Sequence, residues 1–126
     1  MRGLTLDSGA LIALERKDDR MKALLDRLVS CPDTVIHIPA GVLAQVFRDG
    51  SKQVRLTRLL KKDQARVVVL DEDTARTAGI LLGLRGTDDV VDASVVICAR
   101  RYRQSVVTGD PQDLRVLDAA LDLQAI

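Results

Sequence analysis

The chain has 126 residues, the size of one domain, and its 19 lysines and arginines nearly balance 18 acids for a formal net charge of +1. That balance excludes a polybasic coat for nucleic acid, though not a local patch. Phe47 and Tyr102 are its only aromatic residues of the Phe, Tyr and Trp types, which argues against single-strand binding on stacked aromatic platforms.

Gly3 to Leu6 reads as a first strand. Ser8 to Arg16 follows as a short helix, and Arg20 to Ser30 as a second whose apolar face is Met21, Leu24, Leu25, Leu28 and Val29. Pro32 stops it. The β-branched run Thr34 to Ile38 predicts a second strand. Pro39 opens a helix to about Arg48, with Val42, Leu43, Val46 and Phe47 as its core face, and Gly50-Ser51 starts another to about Lys62. Arg66 to Leu70 reads as a third strand. Asp71 or Asp73 caps a helix carrying Ala75, Ala78, Leu81 and Leu82, which Gly86-Thr87 ends. Asp88 to Arg101 is read as helix; Val95-Val96-Ile97 also suits a strand, but the apolar run is long and the chain has room for the helix. Ser105 to Thr108 is a strand, Pro111 to Ala120 a helix with proline in its first turn, and Leu121 to Ile126 a possible edge strand. Alternating strands and helices imply an α/β fold: a small parallel sheet of four or five strands covered on both faces.

Two segments share one design. Leu4-Thr5-Leu6-Asp7-Ser8-Gly9 and Ser105-Val106-Val107-Thr108-Gly109-Asp110-Pro111 are each a β-prone run ending in an aspartate, with a small residue and a glycine beside it. In a parallel sheet the carboxyl ends of the strands form the ligand-binding edge, so Asp7 and Asp110 belong there. Asp89 and Asp92 are three apart and share a helix face. A helix N-cap accounts for Asp7 or Asp110 taken singly, and a first-turn position for Asp88 and Asp89. Asp92, between Val91 and Ala93 in an apolar helix, needs a partner. Several carboxylates on one edge stay ionised together only with a cation between them, which points to a hard-metal site.

Other polar features suit plainer roles. Asp71, Glu72 and Asp73 make a solvated first helix turn and stay outside the site. Lys52, Arg55, Arg58 and Lys61 repeat every three residues, with Arg48 and Lys62 close by; they suit either phosphate contact near the acids or a solvated helix face. His37 has no histidine partner and reads as structural. Cys31 and Cys98 lack CxxC spacing, so a zinc site is not expected, and Cys98 reads as a buried thiol. Gly79, Gly83 and Gly86 follow no strand, so the dinucleotide fingerprint is missing. With no apolar signal segment and no run of the ~20 apolar residues needed to span a bilayer, a cytoplasmic protein with no membrane partner is expected.

Four stretches in order, Leu6-Asp7-Ser8-Gly9-Ala10-Leu11-Ile12, Ile38-Pro39-Ala40-Gly41-Val42-Leu43-Ala44-Gln45-Val46, Asp88-Asp89-Val90-Val91-Asp92-Ala93 and Val107-Thr108-Gly109-Asp110-Pro111-Gln112-Asp113-Leu114, resemble the successive motifs of PIN-domain ribonucleases. Length and short loops resemble the VapC-type toxins of toxin–antitoxin pairs. The match spans essentially the whole chain, read as a single domain over residues 1–126. The resemblance implies a three-layer α/β/α PIN-like fold and Mg²⁺- or Mn²⁺-dependent endonucleolytic cleavage of RNA. It also implies a homodimeric toxic form held inactive by a small VapB-type antitoxin. Asp7, Asp92 and Asp110 match the family's acidic metal positions, and Asp89 lies where a nearby acid often helps. Thr108 matches a small hydroxyl residue before the last aspartate. Gln45 stands where the family usually has a glutamate; it offers a carbonyl oxygen and no charge.

Two rivals are weighed against this. An aspartyl phosphotransferase using Asp7 lacks the second aspartate two residues on, where Gly9 stands, or the lysine after a late strand. A degenerate PIN domain that binds RNA or a partner without cutting is the alternative that Gln45 keeps open. Leu11, Ile12, Leu14, Leu43, Phe47, Leu56 and Leu59 are candidates for an exposed groove that a partner's amphipathic helix would fill.

Overall fold

The computed structural model describes residues 3–126. In chain order its elements are β1 (Gly3–Leu6), α1 (Ser8–Glu15), α2 (Asp19–Val29), β2 (Val35–Pro39), α3 (Ala40–Val46), α4 (Val54–Leu60), β3 (Ala65–Val68), α5 (Glu72–Arg85), α6 (Val90–Tyr102), β4 (Ser105–Thr108), α7 (Pro111–Leu117) and β5 (Leu123–Ala125). The strands form one sheet in the order β3-β2-β1-β4-β5, and every pair is parallel. Helix α1 packs with α2, α3 and α4 over one face, while α5, α6 and α7 pack together over the other. This is the expected three-layer α/β/α arrangement, with the larger of the two anticipated strand counts.

The layering follows from right-handed crossovers. From β1 to β2 to β3 the chain steps one way, so α1 through α4 share a face. It then crosses back past β1 to β4 and on to β5, which puts α5 to α7 opposite. The strand order reverses between β1 and β4. In open parallel sheets the crevice outside such a reversal is where ligands bind.

Local chemistry sets the element ends. Asp7, Asp18, Asp71 and Asp89 each cap a helix, accepting from the backbone N–H three residues on at 2.8–2.9 Å. Gly86 ends α5 in the left-handed region at φ 70°. The amphipathic face read in α2 is real: Met21, Leu24, Leu25 and Leu28 are buried, each worth about 1.5–3 kcal/mol of burial. The run Val95-Val96-Ile97 lies fully inside α6.

Several expectations shift. Pro39 closes β2 and caps α3 rather than opening it, because its fixed φ suits an extended residue at a helix entry (φ −57°, ψ 140°). Helix α4 starts at Val54, after a turn in which Asp49 Oδ1 accepts from the Ser51 N–H and hydroxyl. Strand β3 sits a residue earlier and ends at Val68, leaving Val69 and Leu70 exposed beyond the last pairing with β2. Phe47 is not core; it is 40% exposed after the end of α3. The expected exposed groove is also corrected. Leu11, Leu14, Leu56 and Leu59 belong to the core where α1 and α4 pack together, Leu43 is half-buried, and only Ile12 and Phe47 are open.

Candidate active site

Asp7 and Asp110 leave neighbouring strands at the reversal point, since β1 and β4 pair in register from Leu4↔Ser105 to Leu6↔Val107. Helix α6 brings Asp92 in its first turn, a turn earlier than the sequence suggests, because the helix begins at Val90. Asp89 caps that helix and is exposed. Helix α3 contributes Gln45, whose Oε1 accepts from the Ser8 hydroxyl. Asp7, Gln45, Asp89, Asp92 and Asp110 together line one cavity of about 280 Å³, with Gly9 and Gly109 at its side. Thr108 is fully buried beside it.

The acids differ in their support. Asp7 is buried; its Oδ1 accepts from the Ala10 N–H at 2.9 Å, and the Thr108 hydroxyl and the backbone of Gly109 and Gly9 also favour its charged form. Burial nevertheless outweighs these donors and holds its pKa above the ordinary carboxylate value. Asp92 is pushed up to about 7, first by desolvation and then by the charge of Asp89, Asp113 and Asp7. Asp110 occupies the N-cap position of α7, yet its side chain caps nothing. Its amide donates instead to Thr108 Oγ1 at 2.9 Å. Thr108 therefore serves both strand-end aspartates: its hydroxyl accepts from the Asp110 N–H and favours the charged form of Asp7.

Asp113 is the acid that the sequence reading left out. It lies one turn along α7, and its carboxyl is held above the usual range by a hydrogen bond shared with the Asp110 carboxyl and by that group's charge. The i, i+3 spacing from Asp110 to Asp113 repeats that from Asp89 to Asp92, and that repeat was the available signal. The basic stripe does not reach this cleft: Arg55, Arg58 and Lys62 line a different cavity, between α2 and α4. His37 is structural, as read. Its Nδ1–H donates to Gln104 Oε1 at 2.9 Å and its ring stacks on Tyr102 at 3.7 Å. Cys98 is buried, and its thiol is pushed up to about 11 by desolvation.

The donor set is all oxygen and over-charged for the space it lines. Among the described residues no group of three acidic, histidine or cysteine side chains is close enough to hold one ion directly. Any ion held here would keep part of its water shell, as ions of the magnesium type do when they take one or two carboxylates plus substrate phosphate. The donor set does not suit a structural zinc, which needs four close N or S ligands.

No family model and no curated relative matches the sequence. Solved structures do resemble it. VapBC2 from Rickettsia felis, determined bound to a DNA fragment from its promoter, is 16% identical at a TM-score of 0.69, with 98% of both chains covered. FitAcB from Neisseria gonorrhoeae is 18% identical at 0.64, with 95% of each chain covered. A toxin–antitoxin complex from Klebsiella pneumoniae is 18% identical at 0.68, covering 88% of this chain and 89% of that one. At these identities the likeness is one of fold. No helix among the described residues is long and apolar enough to cross a membrane.

Proposed function

We propose that this protein is a metal-dependent endoribonuclease of the PIN type, the toxin of a toxin–antitoxin pair. The observation that carries the reading is the unbalanced charge of the cleft. Burial raises Asp7, burial and the charges of Asp89, Asp113 and Asp7 raise Asp92, and no side chain of opposite charge lines the cavity. A divalent cation relieves that repulsion. The likeness in fold to toxin–antitoxin proteins supports the same reading.

One or two of Asp7, Asp92 and Asp110 would hold Mg²⁺ or Mn²⁺ directly and the rest through its waters, with Asp89 and Gln45 beside them. When bound, such an ion lowers the pKa of a coordinated water and neutralises charge on the phosphoryl group under attack. The chain's own part is positioning. Thr108 and the backbone donors orient the Asp7 carboxylate, and Asp89 sets the start of α6 and thereby the place of Asp92. RNA cleavage with purified protein is the test. Asp7→Asn and Asp92→Asn each keep side-chain shape and should lower cleavage by orders of magnitude with the fold intact. Cleavage that persists in excess EDTA, or in both variants, overturns the reading. RNA binding without any cleavage would instead favour a degenerate domain, the reading that the uncharged Gln45 supports.

The partner in this reading is a small antitoxin protein. The cavity between α2 and α4, about 560 Å³, is lined by Leu14, Leu25, Val29 and Leu59 and by five cations, among them Lys22 and Arg58, against two acids, Asp19 and Asp26. An amphipathic helix with acidic flanks fits that chemistry. Antitoxin binding and a homodimeric free form are checked by co-purification with the neighbouring gene product and by light scattering.

A further inference from the structure

Two cavities meet at the same pair of glycines. Gly9 and Gly109 line the acidic cleft, and both also line an adjoining cavity of about 420 Å³. The two residues that both cavities share at this seam are glycines, which present backbone and no side chain.

In the second cavity two arginines stand against one aspartate, Asp18, with Ile126 also in the lining. Arg16 caps the C-terminus of α1, and Arg20 lies in the first turn of α2; both line this space. Lys17, in the left-handed region at φ 63°, reverses the chain between them. Two backbone bonds hold the reversal: Lys17 N–H to Leu14 O at 3.3 Å and Asp18 N–H to Ala13 O at 3.0 Å. Neither arginine belongs to an ion pair among the described residues. Asp18, the acid of this cavity, has its Oδ1 engaged by the Met21 N–H at 2.9 Å. Ile12 adds an apolar surface that is 39% exposed.

A cleft lined with aspartates repels a polyanion everywhere except at a bound cation. The phosphates flanking the one under attack therefore need positive charge from elsewhere, and the cavity that shares the seam supplies it. We propose that single-stranded RNA cut at the acidic cleft runs across the Gly9–Gly109 seam and places its neighbouring phosphates on Arg16 and Arg20, with a base against Ile12. This rests on the ribonuclease reading above.

The test measures binding of a short fluorescein-labelled single-stranded RNA of mixed sequence by anisotropy, in EDTA, across a salt series. Each phosphate held on a single strand contributes about −0.7 to the slope of log affinity against log salt. The Arg16→Ala/Arg20→Ala variant should lose affinity and flatten that slope by about 0.7 for each phosphate it no longer holds. The double lysine variant should keep most of the slope. Arg76→Ala, an exposed arginine on α5, serves as the control. With Mg²⁺ present, the alanine variant should raise KM by a larger factor than it lowers kcat. Thermal denaturation confirms that each variant folds. RNA that is cut, with affinity, slope and KM unchanged in the double alanine variant, overturns the arginine track and leaves the nuclease reading standing. Arginine-dependent binding without cleavage removes the nuclease reading and keeps the track as a binding site. No RNA binding at all overturns both.

Discussion

Gly9 and Gly109 touch through backbone alone: a Cβ built on Gly9 would lie 2.7 Å from both the Cα and the N of Gly109. Real Cβ atoms do not come that close to backbone, so the start of α1 and the loop after β4 stay in contact only because Gly9 lacks a side chain. The contact joins the first turn of α1, which Asp7 caps, to the loop after β4, which carries Asp110.

Gly9→Ala should force the start of α1 away from the loop after β4. Overpacking of this kind costs about 1–3 kcal/mol, and here it also displaces Asp7 from Asp110. Gly109→Ala should be milder, since its Cβ would meet Gly9 Cα at 3.1 Å. Denaturant unfolding and RNA cleavage measured on both variants check the order. Equal stabilities for Gly9→Ala and the unsubstituted protein would contradict the contact.

Thr108→Val removes the hydroxyl that serves both aspartates. It leaves the Asp110 N–H without its acceptor and Asp7 with one donor fewer, at a cost of about 1–3 kcal/mol for an unsatisfied group. Thr108→Ser keeps the hydroxyl and should recover most of the stability and activity. Unfolding curves of the two variants decide it; if serine is no better than valine, the hydroxyl is not what matters.

Gln45→Glu adds a carboxylate to a cleft that already holds four acids, counting Asp7, Asp89, Asp92 and Asp110. Without metal the variant should be less stable, and Mg²⁺ should bind it more tightly and raise its melting temperature further. Titration calorimetry with Mg²⁺ and no RNA measures this directly. Identical affinities would place Gln45 outside the reach of the ion.

His37 predicts a pH effect on stability away from the cleft. Burial is the main reason its pKa is lowered from 6.5; the Gln104 hydrogen bond opposes that, and Arg66 reinforces it. Arg101 and Tyr102 also line the cavity that His37 borders. The unfolded chain therefore binds this proton more readily than the native one. The neutral ring's contribution is complete above 6.5 and is lost as pH falls from there to the lower native value. His37→Phe keeps a ring against Tyr102 and removes the titration. Melting temperatures at about pH 7.5 and pH 5.5 should differ less in the variant than in the parent. An unchanged difference would mean that His37 does not drive the effect.

Much of the fold and most of the site were readable along the chain because their signals are local. Alternating β-branched runs and amphipathic segments specify strands and helices within about ten residues, and aspartate before a helix is a local choice. The strand-end position of Asp7 and Asp110 followed once a parallel sheet was inferred, since such sheets bind at their carboxyl edge. Tertiary structure decided what depends on distant partners. The order β3-β2-β1-β4-β5, and with it the pairing of β1 to β4, sets Gly9 against Gly109 a hundred positions apart in sequence. Burial of Leu11, Leu14, Leu56 and Leu59 depends on α1 packing against α4, which an apolar pattern alone cannot reveal. The same holds for the charge of each acid. Asp92 differs from Asp71 through what surrounds it: desolvation, the Asp89 cap of its own helix, and Asp113 and Asp7 from elsewhere in the chain in one case, a solvated helix cap in the other.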